Sequence, residues 1–176
     1  MSLTIQLPVR EDQMEFNLRI WEQLLADPEL TKIEGRIETD RHGRITMLPI
    51  AEALHGVRQA GVSIQLYRLL GGRPIVECPI STSDGVRAAD VGWFSDLRHA
   101  RAFDKRCYLE APEICGEVIS PSNTRAEMEE KAALYFDAGA TEVWLCEEDG
   151  SMRYFGPQGP LENSLLCPDF PAMIEA

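Results

Sequence analysis

The segment "PEICGEVISPSNTRAEMEEKAALYFDAGATEVWLC", residues 112–146, constrains the fold more than any other part of the chain. A short run rich in Ile and Val comes first, then a helical pattern, then a second β-type run. Thr124, with Glu127 three residues on, is a capping box that starts the helix, and Gly139 is a left-handed terminator that ends it. Strand, helix, strand in this order crosses over with one hand and pairs its strands in parallel. Such a unit belongs to an α/β architecture with helices against a central sheet.

The rest of the chain agrees. Phe16, Ile20 and Leu24, with Trp21 and Leu25, recur at helical spacing ahead of Pro28. "KIEGRIETDRHGRITMLP" reads as a hairpin turning at Asp40 to Gly43, with Glu34 and Glu38 on its first strand. From Ile50 to Leu70 the apolar positions Leu54, Val57, Val62, Leu66 and Leu69 predict a long second helix, stopped by Gly71-Gly72. "RPIVECPI" and "VRAADVGWF" are strands joined by the turn "STSDG", and "TEVWLCEEDGSMRYFG" is a hairpin through Glu148 to Gly150. Residues 95–111 look irregular and basic. The segment from Pro157 onward, rich in proline, predicts no element.

At 176 residues, 44% hydrophobic and 26% charged, the chain suits one folded domain, 1–176, with its core at about residues 30–156. No apolar run is long enough to span a bilayer and the amino terminus lacks a signal-peptide pattern, so a soluble, cytoplasmic protein is expected. Cys78, Cys107, Cys115, Cys146 and Cys167 are scattered, with no CxxC pair. They are expected to be buried thiols rather than a disulfide framework or zinc site. A formal charge of −12 argues against a polyanionic partner, since phosphate contact is mainly electrostatic.

Three charged residues fall where apolar ones are expected. Glu117 sits mid-strand in "CGEVI" and Asp90 mid-strand in "AADVG". An unpaired carboxylate buried there would cost several kcal/mol. Lys131, three residues after Met128, lies on the stripe formed with Ala132, Tyr135 and Phe136 and so faces the sheet. A divalent ion between Asp90 and Glu117 would satisfy both acids, and such oxygen ligands suit Mg²⁺ or Mn²⁺. Lys131 would then stabilise charge on a phosphate or orient an attacking water. Glu113 is about 13 Å along the strand from Glu117 and cannot share that ion. Two ordinary arrangements compete: a surface pair between Glu127 and Lys131 at i, i+4, and ion pairs of Asp90 and Glu117 with Arg87 or Arg125. Glu34, Glu38 and His55, taken singly, read as solvated groups.

The run quoted above, preceded by "AADVGWFS", by "IETDRHGRITMLP" and by the histidine of "LHG", resembles the Uma-two family of restriction endonucleases, within the PD-(D/E)XK nuclease superfamily. The resemblance covers roughly residues 30–156. It implies a restriction-endonuclease-like core and metal-dependent hydrolysis of phosphodiesters, with DNA as substrate and a homodimer as one form of the enzyme. It places the metal-binding aspartate at Asp90 and the second acid at Glu117, with the Val118 carbonyl as a further ligand. The superfamily's usual lysine, two residues after the second acid, would be Ile119; in this family the lysine has moved onto the following helix, which matches Lys131. A further acid corresponds to Glu38, with Glu34 less favoured, and His55 matches a family histidine without an assigned role.

Against the acidic charge stands "RHARAFDKR", residues 98–106, a basic cluster just before the Glu117 strand that would serve nucleic-acid contact if it lined a groove. Two other functions stay open. A binding or assembly protein could keep the nuclease fold without turnover, but it need not retain Asp90, Glu117 and Lys131 together. A hydrolase of another phosphate ester would share the site and differ in its groove.

Overall fold

In the computed structural model, residues 10–32, 35–48 and 51–175 are described; Glu34 and Ile50 lie outside them. Helix α1, Arg10–Ala26, precedes a short 3-10 turn. A hairpin of β1, Ile37–Thr39, and β2, Ile45–Met47, follows. Helix α2, Ala53–Leu70, leads into the long strands β3, Arg73–Thr82, and β4, Gly85–Phe94. After helix α3, Asp96–Ala102, come β5, Ile114–Val118, helix α4, Arg125–Asp137, β6, Glu142–Cys146, β7, Met152–Gly156, and β8, Gly159–Leu161.

Strands β3 to β8 form one six-stranded sheet in sequence order, and β1 and β2 pair separately. Only β5 and β6 run parallel within the large sheet, the pairing that the capped crossover helix dictates. Both predicted signals hold: Thr124 and Glu127 form a reciprocal capping box, and Gly139 has φ of 105°. The mixed α/β class is therefore as expected.

Each face of the sheet buries its own core. Val62 and Leu66 of α2 pack with Val91, Trp93, Trp144 and Phe170 on one side. On the other, Tyr135 of α4 and Phe94 pack with Cys78, Cys115 and Val143. Leu54, Val57 and Leu69, part of the apolar spacing that predicts α2, stay 40–47% exposed, because only the Val62–Leu66 side of the helix meets the sheet. All five cysteines are free and buried, and all take the place of small apolar groups.

Two segments depart from the sequence reading. The stretch expected to be irregular at 95–111 contains α3, capped by Ser95, whose hydroxyl accepts from the Arg98 N–H at 3.2 Å. The segment after Pro157 supplies β8 and then an ordered tail. That tail folds back onto Glu142, whose carboxylate accepts from Trp144 Nε1, Ser164 Oγ and the Leu165 and Leu166 N–H groups at 2.7–3.0 Å. The tail partners are 22 to 24 residues away in sequence, beyond the reach of periodicity.

The small hairpin is fastened to β4. The Thr39 hydroxyl accepts from the Val86 N–H at 2.9 Å, and Arg87 donates to the Thr39 carbonyl at 3.1 Å. Gly85, with φ of 87°, permits this close approach: a Cβ there would lie 2.1 Å from the Thr39 oxygen. Gly85→Ala should therefore destabilise the protein by about 2–3 kcal/mol, read as a lowered urea midpoint, and should loosen the hairpin that carries Glu38.

Candidate active site

The sheet register creates the site. Val91 pairs with Gly116, so the next positions in the same antiparallel ladder, Asp90 and Glu117, stand opposite each other on adjacent central strands. Both are buried, Asp90 at 1% exposure and Glu117 at 4%. Opposite Asp90 on its other side lies Glu77, the single described non-glycine residue with positive φ, at 50°. Ala89 packs in one core layer and Val91 in the other, so side-chain alternation changes phase at Asp90. A left-handed residue opposite a buried acid is a backbone departure of the kind found at functional sites.

Organic cations hold these acids. Asp90 Oδ1 accepts from Arg36 Nη1 and stands 3.3 Å from His55 Nε2, while Oδ2 accepts from the Val118 N–H at 2.7 Å. Arg36 also reaches Glu77 at 2.9 Å, and Gln59 Nε2 bridges Glu77 and the Asp90 carbonyl, each at 2.7 Å. Glu117 accepts from Tyr135 Oη at 2.6 Å and from Lys131 Nζ at 3.3 Å. Lys131 further contacts Glu38 at 3.0 Å, whose carboxylate in turn accepts from the Ala88 N–H at 3.0 Å. Lys131 is thus inward, not paired with Glu127, which is spent on capping Thr124. Arg125 pairs with Glu129, and Arg87 serves Asp84 and stands 3.8 Å from Glu38, so neither is the partner of Asp90 or Glu117.

The two central acids titrate in opposite directions. Burial alone would raise Asp90, but the His55 hydrogen bond, the Arg36 charge and the Val118 N–H outweigh it and hold the carboxyl at about 2. Burial dominates at Glu117, with the Asp90 charge adding to it, and despite Lys131 it rises to about 7. Burial would lower Lys131, but Glu117 and Glu38 more than offset this and raise it, so the ammonium stays charged. His55 is raised, chiefly by its hydrogen bond to Asp90.

These groups line one cavity of about 1370 Å³, walled by the hairpin, the start of α2, the β5–α4 loop and α4. Small-molecule pockets usually measure about 300–1,000 Å³, so this cleft is large for a compact substrate. The basic cluster 98–106 does not reach it. Arg98 is bound to the Ala111 and Gly139 carbonyls, and Arg101 to Glu110. Arg106 pairs with Asp104 and lines a different cavity, of about 810 Å³, beside α1. The cations of the active cleft instead come from elsewhere in the chain: Arg36, Arg58, Arg87 and Lys131.

Among the described residues, His55, Glu77 and Asp90 offer ligand atoms within 4.8 Å of one another. Carboxylate oxygens with an imidazole are a donor set suited to Mn²⁺ or Mg²⁺, so the chemistry fits a divalent ion. Spacing pointed to Asp90, Glu117 and Lys131, and the family resemblance to Glu38, which spacing alone read as solvated; Arg36, Glu77, Gln59 and Tyr135 escaped both. Tyr135 is four residues from Lys131 and carried a visible signal, an aromatic with a polar tip on an inward lysine's stripe.

The family described as "Uma2: Putative restriction endonuclease" matches residues 21–165, most of the chain. The chain belongs to the Uma2 family. The crystal structure of a putative nuclease belonging to DUF820 from Anabaena variabilis is similar to this Uma2 chain with a TM-score of 0.60 and 18% identity, covering 74% of this chain and 78% of the other. That likeness carries the fold. No curated protein matches. No helix of the described residues is long and apolar enough to cross a membrane.

Proposed function

We propose that this Uma2 protein is a metal-dependent endonuclease that hydrolyses phosphodiester bonds of DNA in the cytoplasm, as one domain that pairs into a homodimer to address both strands. The observation that carries the reading is Lys131: a half-buried ammonium brought by α4 onto the two buried acids Glu117 and Glu38, beside Asp90. A fold without turnover has no need to bury this charge set, which costs desolvation that pairing only partly offsets.

In this reading Asp90 and Glu117 would hold Mg²⁺ or Mn²⁺ with the Val118 carbonyl, and His55 and Glu77, whose ligand atoms lie within 4.8 Å of those of Asp90, would complete the donor set. The ion, when bound, supplies a Lewis acid for the phosphate and a more acidic water. The chain's own residues do the remainder. Lys131, held by Glu38, presents its ammonium to the reacting phosphate and meets the negative charge that grows on it. Tyr135 orients Glu117 through its hydroxyl. Glu38 positions Lys131 and joins the hairpin to the site. Val118 donates its N–H to Asp90 and fixes that carboxylate's rotamer.

The test is relaxation of supercoiled plasmid, with single-stranded DNA and RNA run in parallel, in Mg²⁺ or Mn²⁺ and again with chelator. Cleavage that requires the ion and falls about 10²–10³-fold in Lys131→Met supports the reading. Metal-stimulated cleavage by Lys131→Met at the wild-type rate removes the lysine from the mechanism. A wild type inert in every condition and without affinity for divalent ions points to the binding-protein alternative.

A further inference from the structure

Arg58 stands apart from the other cations of the cleft. It is 7% exposed, yet its Nε has no hydrogen-bond partner, and among the described residues its side chain makes no salt bridge. Buried polar atoms are almost always satisfied, and a guanidinium has five donors to place. Arg36, Arg87 and Lys131, lining the same cavity, are each spent on carboxylates. Asp149 is close enough to feel the Arg58 charge, but its carboxylate accepts from Ser151 N–H at 2.9 Å and Ser151 Oγ at 2.6 Å. The protein therefore buries a positive fork and leaves it open to the cleft.

Arg58 follows His55 by three residues on α2, so the two side chains share a helix face at about 5–6 Å between Cβ atoms. His55 touches Asp90, which places Arg58 one turn away from the acids and on the same wall. A planar, permanently charged fork suits a phosphate in bidentate fashion. We propose that Arg58 receives a non-scissile phosphate of the bound nucleic-acid strand and sets the strand's register over Asp90. This inference rests on the nuclease reading for the identity of its ligand, but the anion site itself does not.

Two measurements separate these levels. The first is fluorescence anisotropy of labelled single-stranded and duplex oligonucleotides across a salt series in chelator, where no cleavage occurs. Arg58→Met is expected to weaken binding roughly tenfold and to flatten the dependence of log K on log salt by about one unit. The second is thermal stabilisation by inorganic phosphate, expected for wild type and lost in Arg58→Met. Arg58→Gln, which keeps a donor in the buried position, carries the same expectations where the methionine variant does not fold. Unchanged affinity and unchanged salt slope in the variants overturn the proposal and leave the nuclease reading intact. Phosphate stabilisation that depends on Arg58, in a protein that binds no oligonucleotide, keeps the anion site and removes the nuclease reading. Phosphate stabilisation equal in wild type and variants, or absent from both, with no oligonucleotide bound, overturns the proposal.

Discussion

Asp90→Asn is expected to lower metal-stimulated cleavage by about 10³-fold or more, the equivalent of losing several kcal/mol of charge stabilisation at the reacting phosphate. The substitution is nearly isosteric, so the Val118 N–H keeps an acceptor if the amide oxygen turns toward it. What disappears is the negative charge that Arg36 and His55 face. Arg36 retains Glu77 at 2.9 Å and is not orphaned, which limits the loss of stability. The competing view, that Asp90 only anchors the hairpin and α2, predicts the reverse pattern. It requires a large fall in unfolding free energy with wild-type cleavage per folded molecule. Calorimetry with Mn²⁺ gives a second readout, in which Asp90→Asn should lose the binding that wild type shows.

The largest effect on stability should come from Glu142→Ala. Glu142 is 1% exposed and accepts four hydrogen bonds, from an indole, a hydroxyl and two backbone N–H groups. Alanine leaves those donors buried without an acceptor and frees the tail that places Phe170 against Trp144, with ring centroids 4.7 Å apart. Orphaned buried donors cost about 1–3 kcal/mol each and do not add fully, so about 3–5 kcal/mol is expected from urea unfolding. Glu142→Gln keeps one acceptor oxygen and should lose about half as much. A loss under about 1 kcal/mol in the alanine variant would show that the clamp is replaced by water.

The sequence carried the central unit because its signals are local. The capping box, the Gly139 stop and the β-type runs on either side lie within some thirty residues, and each agrees with the others. Asp90, Glu117 and Lys131 were legible for a related reason: a charge in an apolar pattern announces itself. Arg36 was not, since it stands just before a three-residue strand with no period to violate. Glu77 was hidden by a backbone conformation that no composition encodes. Arg58 sits on α2 one step from the exposed Val57, and only the packed structure shows that it turns inward. The basic run 98–106 misled in the opposite sense. It looked like a ligand surface, but Asp104 within the run, Glu110 and Glu113 just after it and Glu22 of α1 answer its charges.

The cations of the cleft also change what a strand of DNA meets on approach. At physiological ionic strength a charge is felt over about 8 Å, so most of the −12 spread over the surface is silent at the point of contact. Around the cleft Arg36, Arg58, Arg87 and Lys131 stand against eight acids, Glu38, Glu52, Glu77, Asp90, Glu117, Glu127, Glu130 and Glu148, a formal excess of four negative charges that a single bound divalent ion halves. Far from the protein and at the rim of the cleft a polyanion is repelled; a bound divalent ion weakens that repulsion, and the four cations act only at contact. Association should therefore be slow in dilute buffer and grow faster as moderate salt screens the outer surface, the inverse of the usual behaviour of a basic DNA-binding protein.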